Sequence, residues 1–170
     1  MRCSISLYFS IPLLMLLAIF QATAAPQIQI GAGHPDLLLL AVMSWELLRG
    51  RGEGYVWAFI GGLSLDLIGG GPFGASILGL LAVTLVADWL GGGLFRDRAI
   101  LPLITAFVGT FAFHGVYLAL LSIFGWSINP LDAVFRVALP SALINMILGL
   151  IVFRLLAALH RRATPSGFSW

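Results

Sequence analysis

The sequence predicts an all-α integral membrane protein, a single bundle of six transmembrane helices spanning 1–170, and three observations carry that prediction. Of 170 residues, 60% are hydrophobic and 9% charged, with a mean hydropathy of +1.04. A soluble domain carries about a quarter charged residues, so this chain lacks the polar surface to coat a globule in water, and the bilayer must be its solvent. Second, the chain divides into six apolar runs separated by turn-forming residues. Third, the arginines that lie between spans fall in alternate connections only.

The first run, Ile5–Ala25, follows Met1-Arg2 and contains Pro12, which predicts a kink. Its Ala22-Thr23-Ala24 end also fits a signal-peptide cleavage site, but the run exceeds the usual signal core and is read as a retained span. Cys3, the one cysteine, excludes an intrachain disulfide and a cysteine-based zinc site; it is read as filler rather than as a lipid carrier. Pro35 and Asp36 open the second span, taken as 36–50, with a proline at the first turn and an acid at the positive end of the helix dipole. The third is taken as 54–70. Both are short for a span needing ~20 residues, which leaves open thin tilted helices or a hairpin packed inside the protein; two full spans fit the charge pattern better. Gly69-Gly70-Gly71-Pro72 breaks the chain before the fourth span at 74–91, and Gly91-Gly92-Gly93 ends it. The fifth run covers 100–124, and Asn129-Pro130 leads to the sixth at 133–160.

All nine basic residues are arginines. Arg2, the pair Arg49 and Arg51, the pair Arg96 and Arg98, and the pair Arg161 and Arg162 mark the two ends and the second and fourth connections, while the other three connections carry none. Arginine-rich short loops stay in the cytoplasm, which places both termini inside and the first, third and fifth loops outside a bacterial inner membrane. No basic run is long enough to suggest nucleic acid.

Ionisable groups within spans are costly and are candidates for function or for structural pairs. Asp66 and Arg136 fall at similar depth near the outer end, and a salt bridge between them is expected, with Asp132, one turn earlier on the same helix, as the alternative partner for Arg136. Glu46, Asp88 and Arg154 lie near inner ends, where Arg154 either pairs with an acid or extends to the headgroups. His114 and Asn145 lie nearer mid-membrane, too few for a proton relay, and read as an interhelical hydrogen bond. No nucleotide loop, metalloprotease pair, nucleophile elbow or Cys/His dyad is present, so no catalytic residue, cofactor or metal ligand is assigned. Gly61-Gly62, Gly79, Gly109, Gly115, Gly149 and the pair Ala18 and Ala22 permit the close backbone approach by which helices pack in lipid.

From His34 to Gly74 the chain reads Pro35-Asp36-Leu37, Trp45-Glu46-Leu47-Leu48-Arg49, Gly54, Ala58-Phe59-x-Gly61-Gly62-Leu63-x-x-Asp66 and Gly71-Pro72-Phe73-Gly74. This ordered set resembles the rod shape-determining MreD family. The resemblance implies a non-enzymatic subunit of the bacterial elongation machinery, supporting lateral peptidoglycan synthesis. It implies an MreC-like partner, with a RodA-like glycosyltransferase, a penicillin-binding transpeptidase and MreB beyond it. It also implies a fold similar to the substrate-binding membrane subunits of energy-coupling-factor vitamin transporters. Asp66, Gly71 and Gly74 are the positions carried over, with Gly61, Gly79 and Arg136 as further partner or structural candidates. The competing function is such a vitamin-binding subunit, which needs convergent polar groups open to the outside. The outer loops offer only His34, Asp36 and Asp132, which favours the scaffold. A reporter active only in the cytoplasm should therefore work at the C-terminus and at Gly52 and fail at Gly71 or Ser127; activity at Ser127 would overturn the six-span topology.

Overall fold

The computed structural model describes residues 3–23, 33–50, 52–92, 100–126 and 129–163, and it contains no β-strand among them. Six helices follow one another: α1 (Cys3–Thr23), α2 (Leu37–Arg49), α3 (Glu53–Ile68), α4 (Ala75–Gly91), α5 (Leu101–Ile123) and α6 over 130–163. Each falls on one of the six apolar runs. The arginines at 2, 51, 96 and 98 lie outside the described residues.

The architecture follows from α2. Its first seven residues, Leu37–Met43, are apolar around the whole circumference, and such a segment is stable only when surrounded. Leu38, Leu39, Leu40, Ala41, Val42 and Met43 are all buried. α2 touches α1, α3, α4, α5 and α6, so the other five helices form a wall around it. Leu14 and Ala18 of α1, Trp57 and Ala58 of α3, Leu80, Val83 and Ala87 of α4, and Ala106 of α5 complete one continuous core with it. A helix of 13 residues is about 20 Å long, well below the ~30 Å of a bilayer's hydrocarbon. That shortness is tolerated because 38–44 and Glu46 of α2 are walled in by protein. The hairpin of two packed helices that the sequence left open is not what forms, since only α2 is buried in this way. α3, by contrast, exposes Val56, Phe59 and Leu67.

Glycine sets the spacing of the walls. A methyl group on Gly62 would lie 2.5 Å from the Ile77 Cα, so the α3 and α4 backbones are in direct contact there. On Gly79 it would lie 2.6 Å from the Phe113 ring of α5, on Gly61 3.2 Å from Leu38, and on Gly149 2.9 Å from Ala106. Gly61 and Gly79 thus face the interior of the bundle.

α6 is continuous but changes pitch: Pro130–Ala133 and Leu139–Ala163 are α-helical, and Val134–Ala138 between them is π-helical. Pro140 accounts for the change. Its ring has no N–H and would collide with the carbonyl four residues earlier, that of Arg136, in a regular α-helix. A wider turn relieves the clash, and the Leu139 N–H bonds the Val134 carbonyl instead. Leu101–Ile123 and Leu131–Leu159 are each long and apolar enough to cross a membrane, and only 22% and 17% of their most apolar windows are buried within the bundle.

Gly62→Ala should destabilise the protein by about 1–3 kcal/mol through overpacking against α4. Gly115→Ala, where nothing lies within 4 Å, should be neutral or slightly stabilising. Thermal melting of the two variants in one detergent checks the contrast.

Candidate functional site

Every helix begins with N–H groups that have no partner within the helix, and in an interior without water each must be satisfied by something else. In this bundle, three successive helices receive that partner from the helix before.

At the start of α2, the Leu37 N–H donates to Gln21 Oε1 of α1 at 2.9 Å. The same Gln21 amide donates from Nε2 to Asp36 Oδ1 at 2.6 Å, which ties the end of α1 to the cap of α2. From the opposite wall, Asn145 of α6 accepts the Asp36 N–H at 2.9 Å and donates to Asp36 Oδ2 at 3.4 Å. Asn145 Nδ2 also reaches Thr110 Oγ1 of α5 at 3.1 Å, while the Thr110 hydroxyl donates to the Ala106 carbonyl. Ser141, one turn before Asn145, accepts the His34 N–H at 3.1 Å. Asp36, Asn145, Thr110 and Ser141 are all buried. Gly33 is required here, because a Cβ would meet Pro140 and the Ser141 nitrogen at 2.8 Å. His34 Nε2 lies 3.6 Å from Asp36 Oδ1 and its ring stands edge-on to His114 at 6.3 Å. The knot therefore joins α1, α2, α5 and α6 at one end of the bundle.

At the start of α3, Glu46 of α2 accepts the Gly54 N–H at 2.7 Å. The approach is so close that a Cβ on Gly54 would overlap the Glu46 carboxylate. The second carboxylate oxygen is buried and makes no hydrogen bond of its own. Around it, Trp45 stacks on Trp57 with ring centroids 4.2 Å apart, Arg49 lies over Trp45 at 5.4 Å, and Glu53 receives the Trp45 indole N–H at 3.2 Å and faces Arg49 at 3.6 Å. The Trp-Glu-x-x-Arg segment is thus the inner face of one helix corner.

At the start of α4, Asp66 of α3 accepts the Gly74 N–H at 2.8 Å and the Ser76 N–H at 3.0 Å. Gly74 has φ of +93°, a conformation that any other residue would adopt with strain. A Cβ on Gly71 would meet the Tyr117 hydroxyl at 2.6 Å, so Gly71 lets the turn lie against α5. Glu46 and Asp66 each reach an amide eight residues ahead, one device used twice.

These contacts correct the expected ion pair. Asp66 is spent on α4, and Arg136 instead faces Asp132 on its own helix at 3.4 Å, both largely exposed. The two residues share an end of the bundle without sharing a partner. Arg154 is exposed, and Glu46 is engaged with the start of α3, so the expected acid partner for Arg154 is not Glu46. His114 bonds the Thr110 carbonyl of its own helix through Nδ1 at 2.9 Å, while Asn145, expected to make one interhelical bond, links two other helices. Gln21, Thr110 and Ser141 were not singled out by the sequence: single polar residues in apolar runs carry no spacing signal. Among the described residues, no three His, Cys, Asp or Glu side chains are grouped to hold a metal. The arrangement fastens one helix to the next.

Asp66→Ala should cost about 1–3 kcal/mol by stranding two amides, and Arg136→Ala about 0–1 kcal/mol as an exposed pair. Because they do not touch, the double variant should equal the sum within about 0.5 kcal/mol. A larger coupling in that unfolding cycle would restore the ion pair.

No curated protein and no solved structure matches the chain, so the expected likeness to energy-coupling-factor subunits has no solved counterpart in its support. The family model for rod shape-determining protein MreD, however, matches residues 3–162, a stretch that runs from the start of α1 almost to the end of α6 and takes in all three capping devices, and the chain belongs to that family.

Proposed function

We propose that this chain is a non-enzymatic, multi-pass scaffold of the inner membrane, with both termini in the cytoplasm, that binds an MreC-like partner and supports lateral peptidoglycan synthesis during rod-shaped growth. Family membership gives the role in rod-shape determination. What supports the scaffold form of that role is how the bundle uses its buried polar groups. Asp36, Asn145, Thr110, Gln21, Glu46 and Asp66 are turned onto one another or onto helix ends, and each of these bonds fixes one helix against another. A vitamin-binding subunit would need such groups converging on a ligand. Here the outer candidates His34 and Asp36 face each other, and Asp132 faces Arg136.

A rigid bundle with an apolar exterior acts through contacts made in or beside the membrane, where small residues allow close approach. Gly61 and Gly79 support this indirectly, by setting the spacing of the walls, whereas Gly115 is exposed and open. A RodA-like glycosyltransferase, a penicillin-binding transpeptidase and MreB are partners at one remove.

Depletion should leave the wall-synthesis enzymes intact but misplaced, with cells losing elongation. In pull-downs from membranes at matched expression, wild type should capture an MreC-like protein. Gly79→Leu should lose capture together with folded protein, as judged by melting. A wild type that captures no such partner but retains a vitamin-sized ligand through purification would overturn the scaffold reading.

A further inference from the structure

The lipid-facing helices of the bundle are unequal in length. α3 has 16 residues, α4 has 17 and α5 has 23, which at ~1.5 Å per residue is about 24, 26 and 35 Å. The usable apolar height of α4 is shorter still, because exposed Asp88 closes it from below and leaves 75–87, about 20 Å. On α3, Glu53 sets the lower limit. The upper limit is set by the turn from Gly69 to Phe73, whose glycine backbone is exposed. Exposed irregular backbone cannot lie in hydrocarbon, so this turn must sit among headgroups. Between those limits Phe59, Leu67, Leu78 and Leu85 face outward, and Trp89 is 82% exposed beside Asp88. A tryptophan with such exposure at the end of an apolar face belongs at the membrane–water boundary. The exposed face of α5, from Ile104 to Ile123, carries no charge to shorten it.

We propose that the α3–α4 flank binds the bilayer itself as its partner and draws it thinner than its surroundings. The flank offers about 20–24 Å of apolar height to hydrocarbon of about 30 Å, while neighbouring α5 offers a full span. Acyl chains next to α3 and α4 must shorten or disorder to cover the flank without burying Asp88, Glu53 or the glycine turn. The capping contacts prevent the helices from lengthening instead: Glu46 fixes the start of α3, and Asp66 fixes both the end of α3 and the start of α4. The chain thereby carries a preference for thin or disordered membrane on one side only.

This rests on the membrane reading above, and the test separates the two. The full-length protein is reconstituted in dimyristoleoyl, dioleoyl and dierucoyl phosphatidylcholine, and its melting temperature is compared across the series. Stability should fall as the chains lengthen. Leu67→Ser/Ile68→Ser, which shortens the flank using exposed side chains, should steepen that fall, and Ile123→Ser on the longer α5 should not. Brominated lipid should quench a tryptophan signal that disappears in Trp89→Phe. A flat or rising series, or equal effects of the two sets of substitutions, overturns the thinning proposal while leaving the membrane reading in place. Absence of Trp89 quenching with Leu78→Cys cross-linking between copies assigns the flank to a second copy and overturns it as well. Failure to incorporate into any of the three lipids overturns the membrane reading.

Discussion

The constraint on which the rest of the structure depends is the need to satisfy helix N-termini where water does not reach. A bare amide in such surroundings costs several kilocalories per mole, more than most single packing contacts return. The chain solves this by letting each early helix end in a polar side chain that caps the next: Gln21 for α2, Glu46 for α3, Asp66 for α4. The cap is also a joint. Because the donor amide and the acceptor lie on different helices, satisfying it fixes the angle and register at which the pair meet. The glycines then follow as consequences. Gly54 exists so that Glu46 can reach its amide, Gly74 so that the turn can present two amides to one carboxylate, and Gly62 so that the joined helices can touch.

From those joints comes the placement of α2. Held at its start by α1 and α6 and at its end by α3, it is buried along 38–44, and its length is released from the thickness of the membrane. The Asp36–Asn145 contact joins residues 109 apart in sequence. It closes the wall by bringing the last helix to the second, so the knot forms only when the chain has nearly completed the bundle. α6 meets it through the Pro140 region, where Gly33 packs against the proline and Ser141 holds the His34 amide. The pitch change in α6 and the non-helical approach to α2 are therefore two sides of one contact.

How much of this the sequence revealed follows from the kind of signal each feature leaves. Helices were legible because apolar runs and turn glycines are local, and they begin and end within a few residues of the expected limits. The ordered motif from Pro35 to Gly74 was legible as a set, and the structure shows that it contains the capping acids together with the glycines they require. Depth along a helix was also legible, which is why Asp66 and Arg136 were placed at one end. Azimuth was not: a helix buried or apolar on most sides leaves too little periodicity to say which way a side chain points. Asp66 turned toward α4 and Arg136 outward. Asp36 was read as an acid at the positive end of a helix dipole, yet it makes no cap bond of its own and serves as the centre of a four-helix knot. Nothing in its neighbourhood announces Asn145.

The division of labour between inside and outside also bears on how a family of rod-shape proteins can recognise partners. With Gln21, Asp36, Asp66, Thr110 and Asn145 spent on fastening, the bundle offers its surroundings mainly shape, apolar surface and its two ends. Exposed large side chains such as Trp89, Leu67, Ile123 and Phe135 provide surface that lipid satisfies as well as protein does. Discrimination within the membrane then has to come from close backbone approach, which an exposed glycine such as Gly115 allows and a lipid tail cannot exploit. At the ends it has to come from charge, and the Asp132–Arg136 pair on the wide turn of α6 is the exposed ion pair set beside that change of pitch. On the proposed scaffold function, helices already fixed by their caps spare a partner the cost of ordering them.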